Sequence, residues 1–301
     1  MKSYNIYKMK KSILIVWVVV VLAAVCLIRF SAKKSAVSSA VVTSGYVPYT
    51  LAKQLSGGLL PVEMLLPPGA EPHSFEPSPG SMVAVHNARA FVYVSDELEP
   101  WAKDVLGAVG KTTQVVNLSR AVAPSQDPHV WMDFGAAVDM ARALARVFGE
   151  LDPGNASVYE KNLKQFEQEV AVLDMDFARA LSSCESREVV HIGHLAFGAL
   201  AKRYHLSLTA LAGTSHDGEH SAQKLIDLIK HIRTRQIKSL FTEEAVSPRL
   251  AQTVAAETGA QIFPLYTIED ISKDDFAGGV TYAELMRRNL DSLQQGLLCK
   301  K

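Results

Sequence analysis

Apolar residues in this chain follow two rhythms. Short dense runs rich in Val, Ile and Phe read as strands: 40–43, 62–66, 90–94 and 113–118, then 188–192, 206–211, 239–242 and 261–266. Between them lie stretches with apolar positions every three or four residues, the period of a helix with one buried face. These are 50–55, 81–87, 98–107 and 134–148 in the first half, and 195–204, 221–233, 248–258 and 282–298 in the second. Strands alternating with helices predict parallel sheets of the α/β class, and the alternation occurs twice. The halves are separated by one long helical pattern over 155–181, with Tyr159, Leu163, Phe166, Val170, Leu173 and Phe177 at spacings of three or four. Asp152-Pro153-Gly154-Asn155 is its start signal. At ~1.5 Å per residue such a helix spans roughly 40 Å. That length suits a helix running along a whole two-lobed molecule as well as one inside a single lobe. The chain therefore divides into an N-terminal segment 1–39, an α/β lobe 40–152, a linker helix 153–182 and a second α/β lobe 183–301.

The N-terminal segment differs in kind. Lys8, Lys10 and Lys11 precede an uncharged run over 12–28 rich in Val, Ile and Leu, and Arg29, Lys33 and Lys34 follow it. A basic region before a long apolar one is the pattern of a signal peptide or an uncleaved membrane anchor, and the run is just long enough to span a bilayer. Either way, the rest of the chain is expected outside the cytoplasm, in the periplasm or at the cell surface. This segment also holds a disproportionate share of positive charge. Residues 1–34 carry seven basic residues and no acidic one, leaving 24 basic against 31 acidic in the remainder, a net of −7 in a chain whose formal charge is zero. A mildly acidic body argues against nucleic acid as a partner. Beyond Cys26 in the apolar run, only Cys184 and Cys299 remain. There is no Cys-x-x-Cys, which excludes thiolate zinc sites and thioredoxin-type chemistry. A bond between the two cysteines is compatible with an exported chain.

Chemistry concentrates just beyond the strand-like runs. His73 lies in Pro-Gly-Ala-Glu-Pro-His-Ser-Phe-Glu-Pro after run 62–66, His129 in Asp-Pro-His-Val-Trp after 113–118, His194 in His-Leu-Ala-Phe after 188–192, and Asp270 after 261–266. Ligands of open α/β sheets bind in the crevice beyond the carboxyl ends of the strands. With two positions from each half, a cleft between two lobes is the simplest common location. Imidazoles plus one carboxylate are the donor set of a tetrahedral zinc site. Asp127, Asp133, Glu76 and Glu243 are candidate partners for the second nitrogens of the imidazoles. His191 reads as a support at the end of its strand. His216 and His220, flanking Asp217 and Glu219, read as solvated loop, and His86, His205 and His231 as surface or packing.

These phrases, together with Asp-Pro-Gly-Asn followed by Tyr159 and Asn162, and the closing Tyr282 and Arg288-Asn289-Leu290, resemble the extracytoplasmic solute-binding proteins that deliver zinc or manganese to ABC importers (solute-binding protein family 9, cluster A-I). The likeness runs from about residue 40 to the end. It implies two α/β lobes joined by one long rigid helix, with the metal in the interlobe cleft and a permease and its ATPase as partners. It carries ligand roles onto His73, His129 and His194. The family's fourth ligand precedes the final helix. Asp270 fits by its distance to Tyr282, with the adjacent Glu269, and Glu243, as alternatives. A histidine at the third position goes with zinc in this family and a glutamate with manganese, and imidazole suits zinc on chemical grounds too. Zn2+ as transported ligand is therefore expected, with Mn2+ or Fe2+ as the alternative cargo, in a monomeric receptor without catalytic activity. The competing class is a membrane-anchored zinc hydrolase with Glu243 or Glu244 as base, although His-Glu-x-x-His and Gly-x-Ser-x-Gly are both absent. A surface adhesin with an incidental metal is a third reading.

Overall fold

Each half of the sequence builds one four-stranded, all-parallel sheet. In the computed structural model, which describes residues 41–213, 222–243 and 248–300, the first sheet contains β1 (Val41–Thr43), β2 (Val62–Met64), β3 (Ala90–Tyr93) and β4 (Gln114–Asn117) in the order β2-β1-β3-β4. The second contains β5 (Glu188–Ile192), β6 (Ser207–Ala210), β7 (Ser239–Thr242) and β8 (Gln261–Pro264) in the order β6-β5-β7-β8. The two orders are the same topology repeated. Central strands β1 and β3 are buried along their whole length, and β5 and β7 nearly so, which accounts for their mostly apolar composition with few exposed positions, as in a parallel sheet covered by helices on both faces. In each sheet the chain reverses its direction of winding between the two central strands, β1 and β3 or β5 and β7. That is where an open α/β sheet leaves a crevice at its carboxyl edge.

The long helix Ala156–Leu181 joins the lobes. Its 26 residues extend about 39 Å, and Tyr159, Phe166, Val170, Leu173, Phe177 and Leu181 form one buried stripe. Asp152 anchors its start by accepting hydrogen bonds from Asn155 Nδ2 (2.8 Å) and the Tyr159 hydroxyl (2.6 Å). The stripe packs on helices from both lobes: Tyr46–Ser56 and Phe134–Leu151 from the first, and Tyr282–Gly296 from the second. The closing helix Tyr282–Gly296 begins with a capping box in which Thr281 and Glu284 bond reciprocally. Cys184 and Cys299 form a disulfide that ties the C-terminal tail to the segment following the long helix.

Among the described residues no helix is long and apolar enough to cross a membrane. The segment 1–39 with its apolar run, the loop holding His216, Asp217, Glu219 and His220, and Glu244 lie outside the described residues.

Candidate metal centre

His73 follows β2, His129 follows β4, His194 follows β5, and a carboxylate follows β8, so each lobe sends two side chains into the same cleft. One potential ligand atom from each of His73, His129, His194 and Glu269 lies within 4.8 Å of all the others. His129 and His194 are fully buried, Glu269 almost so, and the His73 side chain is 7% exposed, which makes it the member nearest solvent. All three rings turn Nε2 inward. His194 Nε2 is 2.9 Å from Glu269 Oε1 and 3.1 Å from His129 Nε2. Glu269 Oε2 is 3.1 Å from His129 Nε2 and 3.5 Å from His73 Nε2.

The expected fourth member, Asp270, is not in this group; Glu269 takes the place. The cause is in the backbone. Ile268 has φ 67°, a left-handed conformation rare for any residue with a side chain and strained for a β-branched one. The twist aims residue 269 into the cleft and turns residue 270 aside, where its carboxylate accepts a hydrogen bond from Thr267 Oγ1 (3.2 Å). The loop is further pinned by Asn289, which bonds both the N–H (2.7 Å) and the carbonyl (2.9 Å) of Tyr266. Glu243, the other alternative, is also outside the group and stands behind His194, its Oε2 2.9 Å from Nδ1.

Local sequence explains how the other donors are held. Trp101 Nε1–H donates to the Pro72 carbonyl (2.7 Å), and the ring meets Phe75 edge-on, fixing the proline-rich loop on either side of His73. In Asp-Pro-His, Asp127 Oδ1 accepts from both the backbone N–H (3.0 Å) and the ring Nδ1 (2.8 Å) of His129. Of the four candidate partners, Asp127 and Glu243 thus back the histidines. Asp133 instead caps helix Phe134–Leu151 and faces Arg203, and Glu76 is exposed. His191 supports the site from within β5, its Nδ1 3.0 Å from the His194 carbonyl.

Trp131 does more than pack. Fully buried against His129, it donates Nε1–H across to the Thr267 carbonyl (2.8 Å), and its own carbonyl accepts from the Tyr282 hydroxyl (2.8 Å). These bonds join the β4 and β8 ends of the two lobes beside the site. An aromatic two residues after a candidate ligand histidine is the sequence signal for this, and it does not say which segment the ring will meet.

The site is electrostatically coupled. Burial opposes charge on His194, but the Glu243 and Glu269 carboxylates overcome it and raise its pKa to about 10. His129 is likewise raised, against its burial, by Asp127 and Glu269. Burial alone would push Glu269 up, yet hydrogen bonding to His129 and His194 holds it well below the ordinary carboxylate range. Three imidazoles and one carboxylate converging from four loops can close a tetrahedral shell around a divalent cation.

A family model described as zinc-uptake complex component A, periplasmic, matches residues 41–296, and the chain belongs to that family. Among its relatives, the high-affinity zinc uptake system protein ZnuA of Bacillus subtilis is 32% identical over 281 residues, covering 86% of this chain and 88% of that protein. The laminin-binding protein Lmb of Streptococcus agalactiae, described as an adhesin with metal transporting activity, superposes with a TM-score of 0.78 at 34% identity, covering 85% of this chain and 98% of that one. The Zn(II)-bound ZnuA-like domain of Streptococcus pneumoniae AdcA gives a TM-score of 0.76 at 29% identity, with 85% and 98% coverage. The chain spans about half of full-length AdcA, 55% of it.

Proposed function

We propose that this protein is a zinc receptor: it captures Zn2+ outside the cytoplasm through His73, His129, His194 and Glu269 and passes it to an ABC importer permease driven by a cytoplasmic ATPase. The observation that carries the reading is the donor group itself, four buried or nearly buried ligand atoms drawn two from each lobe. Three neutral nitrogens and one carboxylate favour zinc over manganese, whose preferred donors are oxygens. Four protein ligands leave no open position for a substrate or an activated water, which separates the site from a zinc hydrolase. The Cys184–Cys299 bond fits an oxidising compartment. The basic and apolar segment at the N-terminus supplies the route of export and, if retained, a tether to the membrane. A monomer suffices for this task, since all four donors come from one chain.

Protein purified without added metal should contain one zinc per chain by elemental analysis, and zinc should displace manganese in direct competition. Preferential retention of manganese would overturn the zinc assignment.

Zinc requires deprotonated imidazoles. In the metal-free protein His194 and His129 hold their protons more tightly than free histidine does, so binding near pH 7.5 expels protons and affinity rises with pH. The metal-free fold responds in the opposite sense. Both histidines have folded values above their unfolded ones, so their stabilisation is full below about pH 6.5 and fades as pH rises through the folded values, about 10 for His194. Glu269, depressed in the fold, stabilises above about pH 4.5, and that contribution is lost as pH falls through its lowered value. Calorimetric titration with zinc in two buffers of different ionisation enthalpy should register roughly one to two protons released per ion. No release at pH 7.5 would mean that the empty cluster is already unprotonated.

A further inference from the structure

Behind one member of the donor group stands a buried carboxylate, Glu243. We infer that Glu243 is the positioning residue of the zinc site. It locks His194 with Nδ1 protonated and Nε2 turned to the ion, and its negative charge balances the bound cation. The inference rests on the zinc-receptor reading above.

Glu243 follows β7, some fifty residues from His194, and is only 4% exposed. Its two oxygens grip one residue twice: Oε1 accepts the His194 backbone N–H (3.0 Å), and Oε2 stands 2.9 Å from ring Nδ1. Contact with backbone and ring together fixes the ring's orientation relative to the chain and turns Nε2 toward the cleft. Nε2 is the atom that meets Glu269 and His129.

Two further features are shaped around this grip. A side chain at Gly193 would place its Cβ 2.1 Å from Glu243 Oε1 and 2.7 Å from the His191 ring, so anything larger than glycine there must push the carboxylate out of its present position. The same double contact also recurs in the other lobe, where Asp127 takes both the N–H and Nδ1 of His129. There the carboxylate comes from the same turn, two residues earlier. In the second lobe it is delivered from a neighbouring strand, so its recurrence is not a by-product of local sequence.

Charge gives the arrangement a second purpose. Zn2+ with Glu269 and three neutral imidazoles leaves one positive charge in a buried setting, where uncompensated charge is costly. Glu243, almost wholly enclosed, cancels it at the back of a ligand; Asp127, whose side chain is 23% exposed, does so less effectively because water screens it. Carboxylates behind metal-bound histidines raise the ligand's basicity, and their loss typically costs 10–100-fold in metal affinity.

The test is Glu243→Gln, which keeps the shape and one acceptor oxygen but removes the charge. Zinc affinity, measured by competition with a chromophoric chelator, should fall roughly 10–100-fold, and the visible bands of the cobalt-substituted protein should shift. Gly193→Ala, which keeps the carboxylate but displaces it, should move both in the same direction. Long-range proton–nitrogen spectra of the zinc-loaded wild type should show His194 protonated at Nδ1 and ligated through Nε2; this measurement decides the matter even if a variant fails to fold. Zinc affinity of Glu243→Gln within about twofold of wild type, or ligation through Nδ1, overturns the inference and leaves the receptor intact. Failure of the wild type to bind zinc overturns the receptor reading and this one with it.

Discussion

Glu269→Ala should lower zinc affinity by roughly two to three orders of magnitude, while Asp270→Ala should leave it within about threefold. Four-ligand zinc sites bind with about 10–16 kcal/mol, so one ligand is worth about 2.5–4 kcal/mol, and each 1.4 kcal/mol is a factor of ten. Two effects add to the lost bond in Glu269→Ala. The carboxylate supplies the only negative charge within the donor group. Its removal also leaves His129 and His194 without their shared acceptor, so the rings keep only the carboxylates behind them, Asp127 and Glu243, and lose the group that links them across the cleft. Asp270 has no comparable role: it is half-buried and accepts from Thr267 beside it. Chelator competition on both variants separates the neighbours. Equal losses would mean that the backbone turn at Ile268, not the identity of residue 269, controls the site.

Replacing both cysteines, Cys184→Ser with Cys299→Ser, should lower the free energy of unfolding by about 2–5 kcal/mol. The bond closes a loop of 115 residues containing the entire second sheet and the closing helix, and loops of this length gain the most from constraint of the unfolded chain. In the folded state it secures a short antiparallel contact: the Glu185 and Ser186 N–H groups donate to the Leu298 and Leu297 carbonyls, and Lys300 N–H donates to the Ser183 carbonyl. Leu293 and Leu297 just upstream are buried in the main core, so fraying of the tail propagates into the packing of the closing helix. That helix supplies Asn289 and Tyr282, which brace the loop of Glu269 and Trp131. Zinc affinity should therefore weaken along with stability. Guanidinium unfolding of the two proteins measures the difference, and a loss under about 0.5 kcal/mol, the size of an ordinary surface substitution, would show the bond to be dispensable.

Much of the architecture was legible in the sequence because its signals are local. Strands β5 and β7 and helix Pro248–Thr258 have the limits expected from their apolar runs. The long helix begins one residue later than expected, after a short 3-10 turn over Pro153–Asn155. Helix Tyr46–Ser56 starts four residues earlier than the periodicity suggested. Pro48 lies in the first helical turn, where its missing N–H has no partner to lose. Helix Gly198–Arg203 starts three residues late because the backbone from His194 onward is used by the site, with Leu195 N–H donating to the Gly213 carbonyl. The short helix Lys273–Gly278 carries no apolar stripe and left no pattern to find. The histidines were visible because each follows a strand in a distinctive phrase. The choice between Glu269 and Asp270 was not, since two acidic residues in a row carry the same chemistry and only a left-handed Ile268 decides which one enters the cleft. The reach of Trp131 and Glu243 across the fold was hidden for the same reason: pairing between distant segments leaves no trace in the spacing of either.

One consequence follows from the even division of donors between the repeated sheets. Neither half holds more than two of the four grips on the ion, so a small parting of the halves would strand it between two incomplete claws. A membrane partner that engages both halves from outside would then need no chemistry of its own to unload the cargo; prising them open by a fraction of the site's width would suffice, and the cross-links from Trp131 to Thr267 and Tyr282 set how hard it must pull.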